Sequence, residues 1–417
     1  MVAHRPLAAE HWPEAYTPVH GGGPGHLTTF NAAISSNERP ERIVAAEDYL
    51  RETRIDQLCD RATLAARGRL ATREELLRVH TAEHVEKMMS CLRCSPCHIL
   101  DVATSYNTIF MNEYSVEAAM YAAGLTIEAT RAVMESSSSN RSTAAKSSAA
   151  SAVCVVRPPG HHSECGRAMG FGIFNSVAAA AADALAGGGA ASFAAGAAAG
   201  ASGGAAPRAP AERVLIVDWD IHHGNGTQEI FADDKRVLYF SAHSLYAFPA
   251  YSSGDLDVSL QSPGYTGGAG AKGYSVNCAW GAGANSFAEG YGDCEYLRMM
   301  DELLMPIARS FDPSLVIVSA GFDSAAGDEM EFLVTPSGYA RMLRRLKRLA
   351  GGRVVVVLEG GYNIPAVSRG LHACVAELLA VCGVVEGEEE AAQVQEQALA
   401  DIRLAVEAQK PYWPGLV

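Results

Sequence analysis

The stretch VLIVDWDIHH (Val214 to His223) joins a short apolar run to a group of acidic and imidazole side chains. Successive side chains of an extended segment point to opposite faces, so Asp218, Asp220 and, if the extension persists, His222 can share one side. Carboxylate and imidazole groups that converge at the carboxyl end of a strand suit a divalent metal. The alternative is a solvated strand end, where Asp and His are common.

Two further apolar runs end in the same way. Leu315 to Val318 leads to Asp323, and Val354 to Leu358 leads to Tyr362. Continuous β-branched runs of this kind are typical of strands buried on both faces, as in parallel sheets. Ligands of open α/β sheets bind beyond the carboxyl ends of the strands. The three strands would therefore bring Asp220, His222, Asp323 and Tyr362 together at one edge of the sheet.

A fourth segment brings a pair of histidines. The apolar stretch Ala152 to Val156 is followed by RPPGHH, in which Pro and Gly end the strand just before His161 and His162. Alone, such a pair also fits a polar loop or two hydrogen-bonded core histidines. Beside a metal site it would supply the general base and acid that metal-assisted hydrolysis needs.

Four long motifs stand in sequence order: RPPGHHSECGRAMGFGIFN (Arg157 to Asn175), VLIVDWDIHHGNGTQ (Val214 to Gln228), SAGFDSAAGD (Ser319 to Asp328) and LEGGY (Leu358 to Tyr362). They resemble motifs of the zinc-dependent histone deacetylases, class II in particular. NERPERI (Asn37 to Ile43) and KPYW (Lys410 to Trp413) resemble the family's two ends, so the resemblance spans nearly the whole chain. It implies an α/β fold of the arginase/deacetylase type, with a central, mainly parallel, multi-stranded sheet and helices on both faces.

The resemblance also implies a role for each matching residue. The ligands of one catalytic Zn²⁺ would be Asp220, His222 and Asp323, although ferrous iron also suits so oxygen-rich a set. The catalytic residues would be His161, His162, Tyr362, Asp218 and Asn225. Asp218 would orient His161, Asn225 stands where other members have a second orienting acid, and Tyr362 would donate a hydrogen bond to the oxyanion. The sequence leaves open which histidine is the main base.

Two further sites are implied by the same resemblance. The tunnel for the acetyl-lysine side chain would be lined by Phe171, Phe248, Met330, Gly170 and Gly360. A structural K⁺ is expected near Asp218, Asp220, His222 and Ser241.

The expected activity is the hydrolysis of N6-acetyl-lysine in proteins, with release of acetate. The alternative is deacetylation of a polyamine or another small amide, since polyamine-selective relatives carry a glutamate at the position of Met330. Here Glu329 and Glu331 flank that position. An arginase-type binuclear manganese enzyme would need an acid where Ala325 stands, which argues against a second catalytic metal.

Bulk properties set outer limits on the function. The 417 residues favour one deacetylase domain over 1–417, and 33 basic against 47 acidic side chains give a net charge of −14. This balance argues against direct nucleic-acid binding and suits lysine-rich protein substrates, with a corepressor-type complex as a further expected partner. Without a membrane span or signal peptide in the sequence, the nucleus, the cytoplasm or both are expected.

Low-complexity and cysteine-rich segments complete the picture. Mobile insertions are expected at about residues 135–151 and 178–210, although Ala178 to Ala186 could extend a helix. The cysteines are expected to be free thiols. One cluster contains Cys91, Cys94, Cys97 and His98. Its spacing resembles one half of a zinc knuckle, but no matching second half follows, so a surface loop with free thiols is favoured over structural zinc.

Overall fold

A parallel β-sheet forms the centre of the molecule. The computed structural model describes residues 2–3, 19–20, 37–61, 65–136, 151–187, 210–250, 257–283, 287–328, 330–381 and 393–416. The strands in these ranges are β1 (Val2–Ala3), β2 (Val19–His20), β3 (Phe110–Met111), β4 (Ala152–Val155), β5 (Val214–Asp218), β6 (Val237–Ser244), β7 (Ser275–Trp280), β8 (Leu315–Ala320) and β9 (Val354–Leu358). The sheet order is β1-β4-β9-β8-β5-β6-β7, and all of these neighbours run parallel. β2 and β3 form a separate antiparallel pair.

The strands are apolar throughout because both faces of the sheet are covered. In β5, Leu215 and Val217 pack into one hydrophobic cluster, while Val214 and Ile216 pack into the cluster on the opposite face. β4, β8 and β9 divide their side chains between the two clusters in the same way. A strand with one solvated face would instead alternate apolar and polar side chains.

Helices supply both covering layers. They are α1 (Glu41–Glu52), α2 (Arg73–Leu76), α3 (Ala82–Met89), α4 (Pro96–Ala103), α5 (Ser115–Ser136), α6 (Ser176–Leu185), α7 (Asn225–Ile230), α8 (Asp293–Met299), α9 (Met305–Phe311), α10 (Pro336–Leu346), α11 (Ile364–Leu379) and α12 (Glu396–Gln409). Side chains of α1 and α8 to α12 enter one cluster, and those of α2 to α6 enter the other. The predicted α/β fold, a parallel sheet with helices on both faces, is confirmed. Within the described ranges, no helix is long and apolar enough to cross a membrane.

The first part of the segment 178–210 is a buried helix, which agrees with the alternative that Ala178 to Ala186 extend a helix and not with a mobile insertion that starts at 178. The side chain of Asn175 accepts the N–H of Ala178 at 2.9 Å and starts α6. Ala178 to Ala181 are fully buried against α5 and the sheet. Alanine is the best helix former, and its small side chain allows close packing. Positions 188–209 and 137–150 lie outside the described residues, and the domain limits stay a prediction.

The sheet order brings the four sequence motifs to one edge. β4, β9, β8 and β5 are consecutive neighbours, and the chain leaves the carboxyl end of each strand directly into a motif. In parallel sheets these ends lie at the same edge, where α/β proteins form their binding sites. The fold therefore collects the motif residues at one place.

Candidate metal and catalytic site

Asp220, His222 and Asp323 converge just beyond β5 and β8. His222 Nδ1 lies 3.0 Å from Asp220 Oδ1 and 3.0 Å from Asp323 Oδ2. One potential ligand atom from each residue lies within 4.8 Å of the others, and among the residues described this is the single such group that could hold a metal ion. Three protein ligands leave coordination positions for water or substrate, as in catalytic rather than structural metal sites.

The charge balance of this group fits a cation. Both carboxylates are buried. Burial, followed by the neighbouring Asp220, raises the pKa of Asp323 to about 7. Burial opposes charge on His222 as well, but its hydrogen bonds to Asp220 and Asp323 outweigh this and raise its pKa to about 10. Crowded buried carboxylates of this kind favour a positive charge between them, and their oxygen-rich donor set suits a divalent metal.

Two glycines allow the carboxylates to approach the backbone. The N–H of Gly360 donates to Asp220 Oδ2 at 2.8 Å. A Cβ atom at Gly360 would overlap the carboxylates of Asp323 and Asp220, and one at Gly321 would overlap Asp220. Glycine is therefore needed at both positions to keep the carboxylates of Asp220 and Asp323 in place.

The paired histidines face different partners. His161 Nδ1 donates to Asp218 Oδ2 at 3.0 Å, and the Tyr239 hydroxyl donates to the same oxygen at 3.1 Å. His162 Nδ1 lies 2.8 Å from Asn225 Oδ1. The two imidazole centroids are 4.0 Å apart. One ring is thus held by a carboxylate and the other by a neutral amide.

This difference separates the charge states of the two rings. Burial opposes charge on His161, but the carboxylates of Asp220 and Asp218 outweigh it and hold its pKa well above the usual value. Burial, together with His161 and His222, holds the pKa of His162 well below the usual value. Paired titratable groups whose pKa values are pushed apart are typical of acid and base roles.

Aromatic side chains surround the approach to these histidines. The Phe248 ring stands nearly perpendicular to His162, with centroids 4.8 Å apart, and the Phe171 ring lies 6.1 Å from that of Tyr362. Gly170 has φ +53°, and a Cβ atom there would lie 2.5 Å from His162 Cδ2. The backbone N–H of Phe171 donates to Thr108 O at 2.9 Å, which anchors this wall.

Tyr362 lies beside Phe171, one of the predicted tunnel residues. Burial raises the pKa of Tyr362 well above its usual value, so its hydroxyl stays protonated and can donate a hydrogen bond. The Arg42 guanidinium lies 5.0 Å from the ring centroid. Met330 is partly buried against the hydrophobic cluster that contains α1 and α8 to α12, while Glu331 beside it is exposed. The position of Met330 at the tunnel mouth stays a prediction.

Sequence reasoning missed one acid and one base that hold the motifs together. Glu359 is buried, and its Oε2 accepts the N–H groups of Gly160 and His161 at 2.6 and 3.2 Å. Arg42 donates to the carbonyls of Gly361 and Glu359, both at 2.6 Å. A charged residue placed directly after a buried strand, as Glu359 is in LEGGY, was a usable signal. Arg42 lies far away in sequence, inside the NERPERI motif, but that motif gave no signal for these contacts with backbone carbonyls.

The cysteine cluster is separate from this site. Cys91 is buried, Cys94 is half-buried and Cys97 is exposed, and all three are free thiols. His98 Nε2 bonds Ser90 Oγ at 3.0 Å. The cluster lies between the end of α3 and the first turn of α4, and its interpretation as a surface loop without structural zinc stays a prediction.

A parallel sheet with an Asp, His, Asp group and paired histidines at its carboxyl edge defines the arginase/deacetylase class of α/β folds. The solved structure of the HDA15 HD domain superposes with a TM-score of 0.70 and 32% identity, over 91% of this chain and 89% of that one. The family model of the histone deacetylase domain matches residues 36–378. The chain belongs to the histone deacetylase family, which confirms the resemblance of its motifs.

Curated relatives agree with this assignment. Histone deacetylase 5 of Arabidopsis thaliana is 35% identical over 347 residues, which are 82% of this chain and 46% of that protein. The polyamine deacetylase HDAC10 of Homo sapiens is 34% identical over 384 residues, which are 91% of this chain and 50% of that protein. The chain thus spans about half the length of these relatives.

Proposed function

We propose that the chain hydrolyses the acetyl amide of N6-acetyl-lysine in proteins and uses one Zn²⁺ held by Asp220, His222 and Asp323. The observation that carries this proposal is the position of the three ligands beside the His161–His162 pair, at the carboxyl edge of the sheet. Membership of the histone deacetylase family supports the reaction class. Protein substrates rich in lysine would suit the chain's net charge of −14.

The aromatic walls would admit an extended, apolar stem with an amide at its end. Phe171 and Phe248 would line the tunnel, with Gly170 keeping the wall thin beside His162. Gly360 would form its floor next to the ligand carboxylates. Such a channel excludes water from the reacting amide and strengthens every electrostatic interaction inside it.

The bound metal would polarise the amide carbonyl and acidify the attacking water. His162, neutral and held by Asn225, would accept the proton of that water and later help to deliver one to the lysine amine leaving group. His161, charged and held by Asp218, would stabilise the negative charge that develops nearby. Tyr362 would donate its hydroxyl hydrogen to the oxyanion, an effect worth roughly 3 to 4 kcal/mol in other hydrolases.

A structural K⁺ near the zinc site is part of the same proposal. Asp218 and Ser241 are paired neighbours on β5 and β6, and Asp218 Oδ1 accepts the N–H of Asp220 at 3.3 Å. Oxygen donors from Asp218, Asp220, His222 and Ser241 would hold this ion next to the buried carboxylates.

Polyamine deacetylation is the second candidate, and the HDAC10 relative supports it. In this chain the thioether of Met330 stands where a glutamate would attract a second ammonium group. The exposed Glu331 beside it would contribute only about 1 kcal/mol at a solvated mouth. We therefore expect protein deacetylation to dominate.

One assay tests both candidates. The purified chain is stripped of metal, reloaded with Zn²⁺ or Fe²⁺, analysed for metal content, and given acetyl-lysine peptides and N-acetylspermidine in competition. We expect a metal-dependent release of acetate with a higher kcat/KM for the peptides. A preference for the polyamine would replace the protein substrate, and no acetate from either substrate at full metal content would contradict the deacetylase proposal.

A further inference from the structure

We infer that Glu164 is a positioning residue for His162 and acts through the side-chain amide of Asn225. The expected effect on kcat rests on the proposed hydrolytic function. The expected effect on the tautomer of His162 does not depend on that function. Glu164 follows the histidine pair by two positions in the motif that begins at Arg157. It lies outside the set of side chains that would touch substrate or metal.

The three side chains form a hydrogen-bonded chain. Asn225 Nδ2 donates to Glu164 Oε1 at 2.6 Å, and Asn225 Oδ1 lies 2.8 Å from His162 Nδ1. A carboxylate only accepts hydrogen bonds, so the amide must turn its NH₂ group toward Glu164. The Sδ atom of Met169, a weak acceptor 3.5 Å from the same nitrogen, favours the same orientation. The amide oxygen is then left to face the imidazole.

The orientation of the amide decides the tautomer of His162. An oxygen at 2.8 Å from Nδ1 can only accept, so Nδ1 must carry the hydrogen. In the neutral ring, Nε2 then keeps its lone pair, as a base requires. If the amide were reversed, its NH₂ group would donate to Nδ1 and the hydrogen would move to Nε2, which removes the lone pair. A carboxylate two groups away thus controls which nitrogen can accept a proton.

Glu164 is itself fixed, as this role requires. Arg167 Nε donates to Glu164 Oε2 at 2.5 Å, and Arg167 Nη2 donates to Oε1 at 3.2 Å. The backbone N–H of Glu164 donates to Arg167 O at 3.0 Å, and its carbonyl accepts the Nδ1–H of His80 at 2.9 Å. The Glu164 side chain is 12% exposed. A carboxylate held on both its backbone and its head group can impose an orientation on its neighbour.

His161 provides an internal contrast. It contacts the Asp218 carboxylate directly at 3.0 Å, and that contact has no orientation to choose because both carboxylate oxygens accept. Only the amide between His162 and Glu164 can be turned the wrong way. The need for a further group therefore arises at His162 and not at its neighbour.

The kinetic test uses a double-mutant cycle in the full chain loaded with Zn²⁺. Glu164→Gln offers a donor as well as an acceptor, so it no longer dictates the amide orientation. Asn225→Asp would set two carboxylates against each other. In Glu164→Gln/Asn225→Asp the glutamine NH₂ can donate to the new carboxylate, whose other oxygen accepts from His162. We expect each single variant to lose about tenfold in kcat with little change in KM, and the double variant to recover to within about threefold of wild type.

The matched control is Glu229→Gln. Glu229 is a carboxylate close to the same loop, where it accepts the N–H of Cys165 at 2.8 Å. Its loss should leave kcat near the wild-type value. If the two single losses multiply in the double variant, Glu164 does not act through Asn225 and the inference is overturned. The melting temperature of each variant shows whether a loss of kcat comes from a general loss of folding. If the double variant recovers kcat but not its melting temperature, the recovery comes from the restored orientation of the side chains.

A second measurement does not depend on any substrate. In ¹⁵N-histidine-labelled protein, the ring signals of His162, assigned by their loss in His162→Ala, report which nitrogen carries the hydrogen. We expect the Nδ1–H tautomer in wild type and a population of the Nε2–H tautomer in Glu164→Gln. An unchanged tautomer in that variant would overturn the inference even if the chain proved to act on another amide. Conversely, if the wild-type protein has no deacetylase activity but Glu164→Gln still changes the tautomer of His162, only the proposed function is rejected.

Discussion

The carboxylate of Asp328 accepts the backbone N–H of Tyr362 at 2.7 Å. The same oxygen accepts the N–H of Asn363 at 2.6 Å, and the Asn363 side chain donates to Gly327 O at 2.7 Å. Asp328 ends the segment that begins with Asp323, a proposed metal ligand. The proposed oxyanion donor is thus anchored on the loop that supplies a proposed zinc ligand, so the two groups keep a fixed relation.

Replacing Tyr362 by Phe should lower kcat by roughly 100-fold or more and leave KM nearly unchanged, because the hydroxyl would contact the oxyanion and not the ground-state amide. Steady-state kinetics on an acetyl-lysine peptide measure both constants. Tyr412→Phe, at an exposed tyrosine, serves as the control for loss of a hydroxyl. An unchanged kcat in Tyr362→Phe would remove the residue from the mechanism.

Asp328→Ala should lower kcat by roughly tenfold, since two backbone donors of the Tyr362 loop lose their acceptor and the hydroxyl is less well placed. The same substitution in the Tyr362→Phe background should cost little further kcat, because there is no hydroxyl left to position. Kinetics of the four proteins measure this coupling. Equal losses in both backgrounds would mean that Asp328 acts on the fold and not on Tyr362.

Asp323→Ala should lower the bound metal and abolish deacetylation, since the remaining two ligands cannot hold a catalytic zinc as three do. Elemental analysis after dialysis and the acetate assay measure the two effects. The control is Asp301→Asn, which changes an exposed carboxylate paired with Arg345. Full metal content with normal turnover in Asp323→Ala would contradict the assignment of Asp323 as a metal ligand.

Residues 188–209 should be replaceable by a short Gly/Ser linker with little effect on activity or Tm. The backbone N–H groups of Gly187 and Ala211 both donate to Ala184 O, at 3.2 and 2.9 Å, so the two ends already lie together. Closing a shorter loop between such ends costs little. Ala181→Asp, in the buried part of α6, should lower Tm sharply and shows that the assay detects real damage. A shortened chain that fails to fold would show that the segment packs.

Stability should fall in mild acid because of His80. Burial, followed by the neighbouring His84, lowers the pKa of His80 to about 3. The unfolded chain takes up a proton on this ring below about pH 6.5, whereas the folded chain stays neutral until about pH 3, so the free energy of unfolding declines across that window by up to about 1.4 kcal/mol per pH unit. His80→Gln should show a shallower fall of Tm with pH than wild type or His98→Gln, a change at a half-exposed ring. Equal slopes would contradict the prediction.

Much of the fold could be predicted from the sequence because buried parallel strands leave a strong pattern. Val214 to Val217, Leu315 to Val318 and Val354 to Leu358 are apolar at every position, and each lies in the sheet as expected. The sequence left open whether Ala178 to Ala186 belong to a mobile insertion or to a helix, because composition does not record burial. A run of alanines does not look like a hydrophobic core from composition, but this run packs tightly against a neighbouring helix.

The candidate site could be predicted only where its residues stand next to a strand. The three proposed metal ligands and the two histidines follow strand ends and meet in space. The contacts of Arg42 with the carbonyls of Glu359 and Gly361 depend on backbone atoms, which no side-chain pattern reveals. The same holds for the Asp328 contact with the Tyr362 N–H.

The segment between residues 187 and 210 also divides the chemistry of the enzyme. His161 and His162 precede it, whereas all three proposed metal ligands and Tyr362 follow it. The earlier part joins the later one through β4, whose Ala152 pairs with Val355 of β9. A chain cut in that segment would yield one piece with the proposed metal ligands and another with the proposed base. Turnover from the mixed pieces would then report their association, which makes this fold a natural scaffold for a split enzyme.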